Sequence, residues 1–330
     1  MFAKSCVITG AVIAALVFAA TPAAAQLNGE NLLGDNGIRS GTQPHPGFYA
    51  GHLFYRYRTD TIRDASGNRV VFDPNQRGSQ TINAMVPLVM YVSEAKLFGA
   101  NVGMMAVLPV ANGSLDAPAF GLSEAAGTGV SDAYLVPLQL GWHASRADVI
   151  AAFGIFTPNG RYDVDATDNL GKGMWSYEVS AGTTVYLDGD RRYSLATTAY
   201  WETHTKKKDT AGMTIESMPT TGITVGQTLT LEGGFGRSFF GGAAHIGTAY
   251  YAQWKLTSDD LGIPGDPTLP RHRVFAFGPD VTIPLATKTK LVSLINVRYL
   301  IERGTQLKTE GHTLVVTTTF PIPGLTIPGR

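Results

Sequence analysis

Apolar and polar residues alternate with a period of two along most of the chain beyond residue 47. In 172–187, Trp175, Tyr177, Val179, Ala181, Val185 and Leu187 share one face, and Ser176, Glu178, Ser180, Gly182 and Thr184 the other. In 239–256, Phe240, Ala244, Ile246, Tyr250, Ala252, Trp254 and Leu256 oppose Gly241, Ala243, His245, Gly247, Tyr251, Gln253 and Lys255. In 222–232, Ile223, Val225, Leu229 and Leu231 oppose Thr224, Gly226, Thr228, Thr230 and Glu232. Successive side chains of a strand point to opposite faces, so each stretch predicts a strand with one apolar side. Weaker alternation at 48–58, 78–92, 97–110, 132–142, 147–157, 192–202, 271–285, 289–302 and 311–322 brings the expected total to about twelve strands.

The gaps between these segments alternate in length. Short ones fall at 93–96, 144–147, 188–191, 233–237 and 286–290, and long ones at 60–79, 111–130, 157–172, 204–219, 257–271 and 302–311. Tight turns at one end and long loops at the other are the layout of a membrane barrel. The expected fold is therefore all-β: a transmembrane, antiparallel, up-and-down β-barrel with both termini periplasmic. All four Trp fall on the predicted lipid face, Trp175, Trp201 and Trp254 near one rim and Trp142 near the other, as amphipathic rings at a lipid–water interface would.

The start of the chain is different. Lys4, the apolar run Val7–Ala20 and Ala23-Ala24-Ala25 read as a signal peptide over 1–25. Residues 26–46 are too irregular for a strand, with Leu32 and Leu33 as an apolar pair, and are expected to form a plug or periplasmic arm. The barrel then occupies 47–330. Beyond residue 25 no stretch of 18 apolar residues occurs, so a membrane-embedded chain must cross as strands.

Composition narrows the chemistry. Charged residues make up 16% of the chain, and 26 Lys and Arg balance 26 Asp and Glu. No basic excess exists to neutralise nucleic-acid phosphates. The single cysteine, Cys6, lies in the signal segment, which leaves the remainder without disulfides or thiolate chemistry. No G-x-S-x-G, H-E-x-x-H, phosphate loop or dinucleotide fingerprint occurs. No cofactor or metal is expected, and the chain does not read as an enzyme. Asp163, Asp165 and Asp168 are close in one loop but miss the spacing of a calcium loop. Lys206-Lys207-Lys208 offers an outer loop a charge that lipopolysaccharide phosphates could meet.

If apolar residues face lipid throughout, the inward candidates for a solute path are His52, Arg56, Arg58, Asn83, Asn101, Glu178, His245, Gln253, Asp280, Asn296 and Arg298. Pro87 and Pro137 fall inside strand segments, where each removes a ladder donor. They mark expected bulges, or a gap through which an apolar solute could leave sideways.

Three stretches resemble a known family. They are Glu30–Gly34 with Gly41–Tyr49, Ser131–His143, and Phe156–Tyr162 running through Asn169-Leu170-Gly171 to Trp175; Gly278-Pro279 is similar to a later step of the same pattern. The family is the outer-membrane group named for the MetA pathway of phenol degradation (the SphA family). The resemblance implies an outer-membrane location in a Gram-negative cell, contact with the lipid bilayer, and passive uptake of small hydrophobic or aromatic compounds. The rival expectations are a structural or adhesion barrel acting through its outer loops, and a hydrolase built into the wall.

Overall fold

The computed structural model describes residues 27–71, 77–118, 122–215, 217–240, 244–265, 269–287 and 291–322. The expected signal peptide, Cys6 and the segment after Ile322 lie outside them. The strands in chain order are β1 (Gly47–Ile62), β2 (Ser79–Leu97), β3 (Ala100–Val107), β4 (Val110–Ala117), β5 (Leu122–Val130), β6 (Ala133–His143), β7 (Ala147–Thr157), β8 (Ser176–Tyr186) and β9 (Tyr193–His204). They continue with β10 (Thr214–Ile215), β11 (Met218–Pro219), β12 (Thr228–Phe239), β13 (Ala244–Lys255), β14 (Arg273–Ala286), β15 (Leu291–Gln306) and β16 (Thr309–Ile322).

All pairings are antiparallel, and β1 bonds to both β2 and β16, which closes the sheet. The pairs β3/β4 and β5/β6 are each one stave interrupted in the middle, and β10 and β11 form a separate ribbon in an outer loop. The result is a twelve-stave barrel. Closure through β1 pairs every stave on both sides, as a membrane requires of strands, and β5, bonded to β4 alone, keeps a free edge in its stave. With a strand tilt of about 40°, ladder rows descend from Trp254 around the wall until Trp142 lies about 25 Å lower, the height of an outer-membrane apolar band.

Two expected turns sit elsewhere. The residues 93–96 belong to β2, at a register shift between Val92 and Lys96, and the turn is Phe98-Gly99. Both turn residues have positive φ (52° and 80°), as a two-residue hairpin turn requires. The glycine-rich 233–237 is not a turn but the middle of β12. A Cβ at Gly234 would stand 3.0 Å from the Ile38 backbone, and one at Gly236 2.7 Å from Ile38 Cδ1. These glycines make room for a chain inside the barrel.

Two expected outer loops are also strands. The span 111–130 holds most of β4 and β5, and 302–311 is mostly β15 and β16 joined by Leu307-Lys308. Their polar residues lie above the lipid, where a strand has no reason to look apolar.

The faces of β1 and β2 are reversed from the expectation. Leu53, Tyr55, Tyr57, Ala84 and Val86 point inward and are buried with Val315, and Leu32 packs against them. His52, Arg56, Arg58 and Asn83 therefore point outward, and three of them are exposed. On β6 the face changes midway. Tyr134 and Val136 point inward, whereas Leu138, Leu140 and Trp142 point outward, because the register shifts between Leu135 and Leu138 at Pro137. A rule that apolar means lipid fails where the lumen is itself apolar.

This reversal predicts a labelling pattern. With Cys6 replaced, Arg56→Cys in intact cells should react with a bulky impermeant maleimide, and Tyr57→Cys should not. The opposite pattern would restore the original face.

Candidate functional site

Residues 27–46 run through the barrel interior from the long-loop end to the short-turn end. At the outer end Leu27 packs with Ile215, Ile223, Leu261 and Ile263, a small core shared by the loops 205–227 and 256–272. Its carbonyl accepts a hydrogen bond from Lys255 Nζ at 2.8 Å. Ile223 and Val225, expected on a lipid-facing strand, are buried at this outer end of the molecule, because β12 begins only at Thr228. At the other end Gln43 Nε2 donates to Gln139 Oε1 at 3.1 Å, and Tyr49 Oη donates to the His45 carbonyl. The segment is thus an axial thread. Its first described residue lies at the outer mouth, not on the periplasmic side expected of the terminus.

Wall carboxylates hold the thread by its backbone. Glu202 accepts from the N–H of Glu30 (2.8 Å) and of Asn31 (2.7 Å). Glu232 accepts from Gly34 (2.7 Å) and Asn36 (3.0 Å). Asp280 accepts from Ile38 at 3.1 Å and pairs with Arg298 at 3.1 Å, while Arg298 also donates to the Gly34 carbonyl. Lower down, Asp148 receives Thr42 Oγ1 at 3.0 Å and the Tyr186 hydroxyl at 2.5 Å. An irregular segment has no ladder of its own, and each buried N–H left unpaired would cost about 1–3 kcal/mol. A carboxylate with two acceptor oxygens serves two nearby donors at once.

Between these polar clamps the interior is apolar. Leu33 packs on Ala249, Tyr251, Val274, Ala276 and Leu300, and Leu32 on the cluster of β1, β2 and β16. Glu302 sits between the two patches and receives the hydroxyls of Tyr57 (2.9 Å) and Tyr251 (2.7 Å).

Of the expected inward residues, Glu178, His245, Gln253, Asp280, Asn296, Arg298 and Asn101 do face the interior. Glu178 receives the Tyr134 hydroxyl at 2.5 Å. Asn296 and Arg298 both meet Asp280. His245 bonds Ser238, Gln253 bonds Thr230, and Asn101 binds the Ser93 carbonyl near the short-turn end. Sequence reading missed Glu202, Glu232, Glu302 and Asp148. Each is a carboxylate on the small or polar face of a strand, and that was the available signal.

Pro87 and Pro137 both point outward and border one seam. Above Pro87, β2 pairs with β4; below it, β2 pairs with β3. Leu108 N–H donates to the Pro87 carbonyl at 3.1 Å, and Ser131 N–H to the Pro109 carbonyl at 2.9 Å. The row of breaks continues through Ser131-Asp132, between β5 and β6. There Asp132 accepts from Gly160 (2.9 Å) and Lys172 (2.6 Å) and pins the loop 158–175 over the gap. Arg161 N–H donates to the Val130 carbonyl at the exposed edge of β5.

One serine–histidine pair approaches a carboxylate. Ser176 Oγ lies 2.8 Å from His204 Nδ1, and His204 Nε2 lies 3.9 Å from Glu202. All three are buried under the thread, and the oxygens of Glu202 are taken by Glu30 and Asn31. The pair reads as polar packing of the outer mouth. In the loop 158–175 the carboxylates are used locally: Asp163 caps the Asp165 N–H and Asp168 pairs with Arg161 at 3.1 Å. Among the described residues no group of three His, Cys, Asp or Glu could hold a metal.

Closed antiparallel topology and an apolar outer band between Trp rims define an outer-membrane β-barrel, here with its interior occupied by the thread. A solved structure with this architecture is the COG4313 outer membrane channel from Pseudomonas putida F1. The two superpose with a TM-score of 0.71 at 14% identity, covering 89% of this chain and 100% of that one. The β-domain of the Bordetella autotransporter BrkA is more distant, with a TM-score of 0.46 at 12% identity over 84% of this chain and 100% of that one. The family described as "Putative MetA-pathway of phenol degradation" matches residues 59–318, and the chain belongs to it. No curated protein matches the chain.

The outer end of the thread should respond to pH. Burial pushes the Glu30 carboxyl up to about 7, against the pull of Lys172, whose Nζ lies 3.5 Å away. The docked thread then binds more protons than the free one between about pH 4.5 and 7, so docking is strongest at low pH and weakens as pH rises through that window. Protease nicking of the thread in purified protein should increase from pH 5 to pH 8. Glu30→Gln should flatten the profile; an unchanged slope in that variant contradicts the assignment.

Proposed function

We propose that this barrel carries small hydrophobic, including aromatic, compounds passively across the outer membrane. The observation that supports this most strongly is the character of the interior. A backbone thread occupies the axis, and the wall beside it presents two apolar patches, which Leu32 and Leu33 cover. A water-filled porin lumen is polar throughout. Here a solute that replaces Leu32 or Leu33 finds an apolar surface, while a hydrophilic solute must displace charge-assisted hydrogen bonds worth about 1.5–3 kcal/mol each.

The exit follows the seam. The patch built by Leu53, Tyr55, Ala84 and Val86 lies on β1 and β2, and β2 carries the break at Pro87. A solute leaving there passes from an apolar interior to the lipid without crossing the polar short-turn mouth. Membership in a phenol-degradation family agrees with an aromatic cargo.

A deletion strain complemented with variants, grown on and assayed for uptake of a panel of aromatic and long-chain apolar carbon sources, tests this. Wild type should restore uptake of one class, and Leu32→Asn with Leu33→Asn should reduce it several-fold at equal surface expression. Pro87→Val and Pro137→Val should slow it. Full uptake in the deletion strain contradicts transport and points to the outer loops as the working part. Full uptake in the proline variants contradicts the seam as the exit.

A further inference from the structure

The outer wall carries a second feature that the transport reading does not use. At the long-loop end, Arg273 of β14 and Arg303 of the adjoining β15, and beyond β16 Arg56 and Arg58 of β1, all point away from the lumen and are exposed. The ladder rows put Arg273, Arg303 and Arg58 within about 5 Å of the height of Trp254, at the outer lipid–water interface. Arg271, just before β14, is exposed beside them.

None of these five arginines meets a carboxylate among the described residues. Arg271 donates to the Leu256 carbonyl and Arg303 to the Glu302 carbonyl, while Arg273 lies over the Phe275 ring with 5.9 Å to its centroid. Several other arginines are matched: Arg192 by Asp188, Arg161 by Asp168 and Arg63 by Glu310. The whole chain is neutral, so an unmatched cationic arc at one height is a local arrangement.

Two recesses flank Arg273. One, of about 310 Å³, is lined by Arg63, Arg273, Arg303 and Glu310 among others. The other, of about 570 Å³, has Leu229, Leu231, Trp254 and Leu256 on its apolar side and Arg271 and Arg273 on its rim. Leu229, Leu231 and Trp254 are outward residues of β12 and β13 and run down into the lipid band. Guanidinium groups above and an apolar furrow below match a molecule with phosphate at its head and acyl chains beneath.

We propose that this arc binds an acylated, phosphate-bearing glycolipid of the outer leaflet. Its phosphates meet Arg271, Arg273 and Arg303, and its chains lie along Leu229, Leu231 and Trp254. Arg56 and Arg58 extend the cationic arc around β1. Planar guanidinium forks bind phosphate oxygens in pairs, which a ring of lysines would not reproduce.

Native mass spectrometry of the full mature protein in mild detergent tests the site with four added probes: diphosphorylated lipid A, dephosphorylated lipid A, phosphatidylglycerol and inorganic phosphate. The expected result is retention of diphosphorylated lipid A. Binding should fall by about tenfold for each of Arg273→Ala and Arg303→Ala. Arg273→Lys should recover it only in part, and Arg237→Ala at the opposite rim should leave it unchanged. Heat-modifiable gel mobility verifies that each variant is folded. Equal binding of the dephosphorylated lipid, equal binding of phosphatidylglycerol, full competition by inorganic phosphate, or unchanged binding in both alanine variants would each overturn the proposal. A lipid-free dimer lost in Arg273→Ala would overturn it too, since a second copy would then be the occupant. None of these readouts depends on solute uptake, so the two readings fail separately.

Discussion

The interior of the barrel depends on one type of bond: a backbone N–H of the thread donated to a carboxylate of the wall. A segment without secondary structure cannot lie inside a protein unless something else pairs its amides. Glu202, Glu232 and Asp280 supply those acceptors at successive depths. A charge so buried needs compensation, and for Asp280 the same wall provides it through Arg298. The glycines of β12 follow from the same constraint, because the thread passes so close that no side chain fits beneath Ile38.

That constraint also sorts the lumen into polar and apolar sectors. The clamps concentrate on β7, β9, β12 and β14, and the apolar patches on β1, β2, β13 and β16 with parts of β14 and β15. Lys255 of β13 and Arg298 of β15 add donors to the thread carbonyls of Leu27 and Gly34, while the apolar patches themselves meet the thread through Leu32 and Leu33. The seam on β2 through β6 borders that apolar side, so the proposed residence and exit of a solute fall in one sector of the wall.

The outer architecture was legible in the sequence because lipid enforces it. The faces of β8 and β13 read correctly, since their outward sides are mostly apolar and their inward sides mostly small or polar, with Thr183 outside and Ala249 and Tyr251 inside among the departures. β1 and β2 did not. Their inward side chains are Leu53, Tyr55, Tyr57, Ala84 and Val86, which a two-class pattern cannot tell from lipid-facing residues. Their outward Arg56 and Arg58 stand at the headgroup level, where polarity is permitted. Pro137 shifts the parity of β6 halfway along, a change invisible without the register. The glycines at 233–237 looked like a turn because turns and close chain approach call for the same residue. Of the interior site, Asp280, Arg298 and Glu178 were found by facing, whereas the clamping carboxylates Glu202 and Glu232 gain their meaning only from a thread some 170 to 200 residues away in sequence.

The most direct test of the thread's place is a covalent one. Ile38→Cys and Gly236→Cys put two sulfurs within bonding range, since a Cβ at 236 already meets the Ile38 side chain. The account predicts that the disulfide forms in the outer membrane without added oxidant, and that single-channel conductance equals that of the unmodified barrel. Free thiols in a folded, heat-modifiable protein, or a conductance that changes when the bond is reduced, would contradict it.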